Sequence, residues 1–115
     1  MKNKRKCILL NALPLNAFQY NEFTIRIKKV MVEELNEMLK KCDIIENYIR
    51  HESTIKLLSQ ILNISLTSST YLYKYQDMDR LIVITLKSPI RGQEHQNVSK
   101  DDLDIFVVDL ILNLN

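Results

Sequence analysis

The stretch Tyr48-Ile49-Arg50-His51-Glu52-Ser53-Thr54-Ile55 sets a histidine, a carboxylate and two hydroxyls side by side. Imidazole moves protons near neutral pH, and hydroxyls and backbone N–H groups bind phosphate oxygens. From about Glu52, residues Ile55, Leu58 and Leu62, with Leu57 and Ile61 beside them, recur at helical spacing. Asn63, which tolerates the left-handed conformation, can end that helix. His51 therefore falls near a helix N-terminus, where unpaired N–H groups and the positive dipole end favour an anion. The same field opposes a cationic imidazole, so Glu52, Glu94 or a bound phosphate has to offset it. The competing reading is a helix-start histidine that simply bonds backbone.

The chain has only two histidines, no acidic metal cluster, no Gly-rich phosphate loop and no Gly-x-Ser-x-Gly elbow. Those absences remove most hydrolase and nucleotide-enzyme classes and leave acid/base chemistry without metal or cofactor. The reaction that suits the set is cleavage of an RNA-type phosphodiester by its own 2′-OH. A cation stabilises the phosphorane-like transition state and histidine protonates the departing 5′ oxygen.

The surrounding elements must position these groups. Cys7 to Leu10 reads as a buried strand emptying into the turn-rich Asn11-Ala12-Leu13-Pro14-Leu15-Asn16. Asn11, at the strand exit, either contacts a ligand or satisfies its own backbone. Phe23 to Lys28 alternates apolar and polar residues, the pattern of a half-exposed strand. From Met31 to Cys42, Val32, Leu35, Leu39 and Cys42 define the apolar stripe of a helix that starts Glu-rich and ends Lys-Lys, as the helix dipole favours. Residues 43–50 fit a short helix or a strand equally well. Ile64-Ser65-Leu66 is a short strand candidate, and Tyr71, Tyr73 and Tyr75 alternate as on one face of a strand, serving either packing or base stacking. Leu81 to Leu86 is the strongest strand and apolar enough to be central. A long polar stretch, 87–98, follows. Ser99 and Asp102 resemble a capping pair, and Ile105 to Leu112 forms the last strand. The sum is a single small α/β domain, a mixed sheet of about five strands flanked by two main helices over residues 7–115, behind a basic tail over residues 1–6.

At 115 residues the chain suits one domain, and its net charge of +2 is too small for broad capture of duplex nucleic acid. It suits a small anionic ligand. Lys2-Asn3-Lys4-Arg5-Lys6 precedes an apolar stretch too short for a signal peptide or a membrane span, so the basic run is either a solvated tail or a phosphate-touching arm. Cys7 and Cys42 lack Cys-x-x-Cys spacing and read as core thiols in a reducing cytoplasm in preference to a disulfide.

Leu10-Asn11-Ala12 after the first strand, His51-Glu52-Ser53-Thr54 opening a helix of the type Ile-x-Leu-Leu, then an apolar strand and a loop with Arg and Glu, resemble the small viral ring nucleases. These are anti-CRISPR proteins that defeat type III immunity, with relatives in mobile elements and host CRISPR loci. The likeness runs from about Cys7 to Leu112. It implies a homodimer of α/β subunits that binds cyclic tetra-adenylate across its two-fold axis and linearises it without metal. Under the resemblance His51 is the general acid, Asn11 and the hydroxyls of Ser53 and Thr54 contact ligand, Arg91 clamps phosphate and Glu94 is its acidic partner. Arg91-x-x-Glu94 fits when counted back from Val98-Ser99. Counted forward from Leu86-Lys87 the loop is two residues longer, with Pro89 at the arginine position, so an insertion before Arg91 reconciles the two. Arg50 replaces the family's glycine, either clashing with ligand or adding a phosphate contact, and Thr85 stands where relatives carry glutamine.

Two other readings follow from those departures and from the tail. One is a protein that sequesters the cyclic nucleotide intact. The other is an interaction protein of a virus or mobile element, working through the Lys2 to Lys6 arm and the tyrosines. A viral antagonist and a host off-switch fit the sequence equally.

Overall fold

Cys7 to Leu10 and Leu81 to Ile84 are apolar at every position, which suits strands covered on both faces. The computed structural model, which describes residues 5–69, 71–87 and 100–111, places both segments inside a five-stranded mixed sheet. In chain order the elements are β1 (Lys6–Leu10), β2 (Thr24–Val30), α1 (Val32–Lys40), β3 (Ile44–Asn47), α2 (Glu52–Leu62), β4 (Arg80–Leu86) and β5 (Leu103–Ile111). Short 3-10 turns occur at Leu15–Ala17 and Lys100–Asp102. Across the sheet the order is β2-β5-β4-β1-β3. β1 runs parallel to both neighbours, with Leu9 opposite Asn47 on one side and Ile82 on the other, while β5 is antiparallel to β4 and β2. The carboxyl ends of β1, β3 and β4 thus share one edge. This is the expected single α/β domain, and within residues 43–50 the chain forms a strand over Ile44–Asn47.

Alternation along the strands divides the core in two. On one face Leu9, Ile82, Ile84, Ile105 and Val107 pack under Leu35 and Leu39 of α1 and Leu58 of α2. Each helix presents an apolar stripe, and their burial there is what makes short helices persist. Asn63, left-handed at φ 54° and ψ 43°, ends α2 as its residue type allows. The opposite face, carrying Ile8, Leu10, Leu81, Val83 and Val108, is covered by irregular chain that inserts Ala17, Phe18 and Tyr73. Aromatic contacts knit this cover, Phe18 to Phe23 at 4.8 Å and Phe18 to Tyr75 at 5.3 Å between ring centroids. Among the described residues no helix is long and apolar enough to cross a membrane.

Three expectations are corrected. Cys7 and Cys42 form a disulfide, with Cα atoms 6.1 Å apart. They meet because Cys42 sits at the end of α1, directly above the start of β1 to which β3 returns, a proximity invisible in a separation of 35 residues. The segment carrying Tyr71, Tyr73 and Tyr75 is not a strand: the chain touches the outer strand β3 only at the Ser68 bridge and then crosses over the sheet face, where Tyr73 and Tyr75 pack. Tyr73 is buried and Tyr75 half-buried, whereas Tyr71 is 77% exposed. Ile64-Ser65-Leu66 is likewise no strand; a single parallel bridge pairs Ser68 with Asn47.

A polar cluster holds this crossing segment down. Tyr73 O–H donates to Asp79 Oδ2 at 2.6 Å, and Asp79 is only 6% exposed. Lys6 Nζ lies 3.0 Å from Glu46 and 3.9 Å from Asp79 and donates to Gln76 at 3.0 Å. Lys6, at the end of the basic run, therefore belongs to the sheet. Burial alone would lower its ammonium, but Glu46 and Asp79 together raise it. Burial and the Asp79 carboxylate push the Tyr73 phenol far above its ordinary value.

Candidate functional site

The chemistry-bearing stretch lies where β3 hands over to α2 at the shared carboxyl edge. His51 is the N-cap of α2, its backbone extended at φ −72° and ψ 116° and its carbonyl accepting the Ile55 N–H at 3.0 Å. Its side chain makes no capping bond. Instead Nδ1 lies 2.8 Å from Ser53 Oγ, and the ring is exposed. A hydroxyl both donates and accepts, so this contact serves either protonation state of the imidazole. When both nitrogens carry protons, Nδ1–H donates to Ser53 and Nε2–H is the one available to a ligand.

Sequence reasoning missed the residue that holds this histidine's approach, Asn47. Only 4% exposed, Asn47 accepts the Ile49 N–H on Oδ1 at 3.0 Å and donates Nδ2 to the Ile49 carbonyl at 3.1 Å. Ser68 Oγ donates to the same carbonyl, Ser69 N–H donates to the Asn47 carbonyl at 2.8 Å, and Tyr48 N–H donates to Leu9 at 2.8 Å. The connection is thereby bracketed by β1 on one side and residues 68–69 on the other. The available signal was a lone amide among Ile44, Ile45, Tyr48 and Ile49, since a polar side chain in such company is buried only with its bonds made.

The other expected residues distribute as follows. Asn11 is exposed immediately after β1, and β1 lies between β3 and β4. Asn11 therefore emerges between the connection bearing His51 and the exit of β4. Arg50 and Glu52 are exposed and Ser53 is half-buried. Thr54 is the exception: at 6% exposure it is buried in the first turn of α2. Thr85 is half-buried near the end of β4. Arg91 and Glu94 lie outside the described residues. The chain on either side of their span is clasped, Lys87 N–H donating to the Asp102 carbonyl at 2.8 Å, so the β4–β5 connection starts and ends at the carboxyl edge of β4.

Two cavities lie against β2 and β5. One of about 140 Å³ lies beside the clasp at the same edge of the sheet, lined by Lys29, Lys87 and Lys100 together with Glu33, Asp101 and Asp104, with Lys29 Nζ 3.0 Å from Asp104. Another, about 390 Å³, runs along β2 past Arg26, Lys28 and Val30, bounded by Glu34 and Met38 of α1 and by Arg80 and Asp109. Among the described residues no cluster of three or more His, Cys, Asp or Glu could hold a metal ion.

Residues 7–110, almost the whole chain, match the family model described as STIV B116-like. The chain belongs to the STIV B116-like family. This is a viral protein family, and it agrees with the viral kinship expected from the His51 motif. Protein B116 of Sulfolobus turreted icosahedral virus is similar in structure, with a TM-score of 0.71 over 90% of this chain and 97% of B116. Identity is 20%, so the likeness to B116 speaks to fold, and it extends that fold across both proteins nearly end to end. No curated protein sequence matches this STIV B116-like chain.

Proposed function

We propose that the protein is a metal-independent ring nuclease that linearises cyclic tetra-adenylate and so switches off type III CRISPR signalling. The observation that carries the proposal is the placement of His51, exposed at the N-terminus of α2 with Ser53 Oγ on Nδ1, beside the Asn11 strand exit. The reaction this arrangement suits is an internal transesterification. The ribose 2′-OH attacks the adjacent phosphorus, the P–O2′ bond forms, and the P–O5′ bond breaks. Protonated His51 gives its Nε2 proton to the departing 5′ oxygen, leaving a 5′-OH and a 2′,3′-cyclic phosphate.

The free N–H groups at the start of α2 suit the phosphate being attacked, and Asn11 offers both donor and acceptor to the ring. Arg50, exposed next to His51, adds a cation within the same turn of chain. By the family resemblance Arg91 clamps phosphate, and Glu94 receives the 2′-OH proton or pairs with His51. A homodimer, with the ligand on the two-fold axis, belongs to the same proposal. Holding the 2′-OH in line supplies part of the acceleration, up to roughly 7–11 kcal/mol at the limit of effective-molarity estimates.

Incubation of purified protein with cyclic tetra-adenylate in excess chelator tests the reading. Linear product from the wild-type protein, lost in His51→Ala, is the expected result. No linear product at enzyme excess overturns it, and so does full activity in His51→Ala. Tight binding with the ring recovered intact would leave a sequestering protein.

A further inference from the structure

The chain between α2 and β4 contributes an aromatic ring to the same edge of the sheet. Ser68 pairs with Asn47 in a parallel bridge, so residues 68–69 run alongside the connection that carries His51. Neighbouring chains in such a pair run about 5 Å apart. The segment is secured at both ends against the connection that carries His51. At one end Ser68 Oγ donates to the Ile49 carbonyl and Ser69 N–H to the Asn47 carbonyl. At the other the buried Tyr73 ring packs on Tyr48 with centroids 5.3 Å apart. Between these anchors Tyr71 N–H donates to Ser69 Oγ at 3.2 Å, and the side chains of Tyr71 and Leu72 project outward, 77% and 83% exposed.

Side chains this exposed take no part in core packing and are open to a ligand. We infer that Tyr71 is a stacking platform for a nucleobase of the ligand whose phosphodiester lies at His51. The inference rests on the proposed function of that site and adds a specificity-determining residue to it. A nucleobase is the favoured occupant because Tyr71 rises from a segment bonded at Ser68 and Ser69, and packed through Tyr73, against the connection that carries His51, and the ligand proposed for that connection bears adenine rings. Stacking on a preorganised tyrosine also incurs little ordering cost, since the backbone is already bonded on both sides.

The test is isothermal titration of cyclic tetra-adenylate into the full chain carrying His51→Ala, which prevents turnover, with Tyr71→Ala, Tyr71→Leu and Tyr71→Phe added singly. Stacking predicts that Tyr71→Ala and Tyr71→Leu weaken binding roughly 5- to 150-fold, while Tyr71→Phe stays within about twofold. Since Tyr71 is exposed, the melting temperatures of all three should match the parent. Unchanged affinity in Tyr71→Ala overturns the inference, as does retention of affinity in Tyr71→Leu. Unchanged affinity together with a fall in sedimentation mass overturns it in favour of a contact with a second copy of the chain. If wild type and parent bind no cyclic tetra-adenylate, the proposed function itself fails and this inference fails with it. Binding by the parent combined with indifference to Tyr71 refutes only the stacking role.

Discussion

Reduction of the Cys7–Cys42 bond should destabilise the protein substantially while leaving the edge that holds His51 intact. The bond closes a loop of 35 residues. In the chain-entropy treatment a loop of this length restricts the unfolded ensemble by about 13 cal/mol/K, or about 4 kcal/mol at 25 °C. Structure retained in the reduced unfolded chain brings the figure down, so 2–4 kcal/mol is the working range, roughly. For a domain of this size that corresponds to a fall of roughly 6–20 °C in melting temperature. The denatured chain also expands once the bond opens, so the urea m-value should rise along with the loss of stability. Cys7 is wholly buried, so a small reductant reaches the bond through opening of the fold, and reduction should accelerate in mild denaturant.

The assay is urea unfolding followed by circular dichroism, with and without reductant, alongside thiol titration in denaturant. Cys42→Ala provides a second arm, because Cys42 is only half-buried and its truncation removes little packing. Two free thiols in the unreduced, denatured protein would refute the cross-link. Complete reduction with an unchanged midpoint would refute its energetic role. Where both forms are folded, cleavage should be equal, since the bond joins the start of β1 to the end of α1 and His51 stands at the carboxyl edge.

Tyr73→Phe leaves the buried Asp79 without its 2.6 Å donor and should cost roughly 1–3 kcal/mol in urea unfolding. The raised Tyr73 phenol also sets a pH dependence: the unfolded chain releases this proton near pH 10 while the folded chain keeps it, so stability falls as pH rises beyond 10. Tyr48 and Tyr75 are raised as well and act in the same direction, so Tyr73→Phe should flatten the alkaline limb in part, as measured by midpoints between pH 8 and 11, about the range in which phenols titrate. Asn47→Ala removes both side-chain bonds to Ile49 and should lower stability by roughly 1–3 kcal/mol, with kcat for ring cleavage falling more than KM rises; equal stability and rate would dismiss the bracket. Ser53→Ala deletes the partner of His51 Nδ1, and cleavage should slow roughly 2- to 10-fold; an unaltered rate would deny the contact a part in orienting the ring.

The elements that periodicity reveals were legible, and so was the position of the histidine. Val32, Leu35 and Leu39, and Ile55, Leu58 and Leu62, declare amphipathic helices because burial of one stripe is what stabilises them, and Leu81 to Ile84 declares an inner strand. His51 at the start of α2 followed from the same stripe. What stayed hidden depends on partners distant in sequence. Alternating Tyr71, Tyr73 and Tyr75 satisfy the strand pattern, but a strand also needs a ladder of bonds to a neighbour, and this stretch of chain pairs with the edge strand β3 only through the single Asn47–Ser68 bridge ahead of it. Cys7 and Cys42 read as unrelated thiols because only the return of the chain from α1 into β3 brings them within bonding reach. Thr54 and Ser53 differ by one position in a helix and hence by about 100° around it, enough to turn one hydroxyl inward and leave the other beside His51.

The topology explains why a small chain can separate stability from chemistry. Parallel strands deliver successive connections to one edge, so β1, β3 and β4 bring Asn11, His51 and the β4–β5 connection together without a dedicated pocket domain. Such an edge lacks the hydrogen-bonded ladder that holds the strands, and a histidine placed there needs its own support. Asn47 supplies it from within, bonding both backbone groups of Ile49, while Ser68 and Ser69 supply it from outside. The two supports act on the same carbonyl, so their removal should not be additive: Asn47→Ala combined with Ser68→Ala should cost measurably less or more than the sum of the single losses, by about 0.5 kcal/mol or above. Strict additivity in that cycle would mean the two sides hold the connection independently, and the case for a single bracket around the approach to His51 would fall.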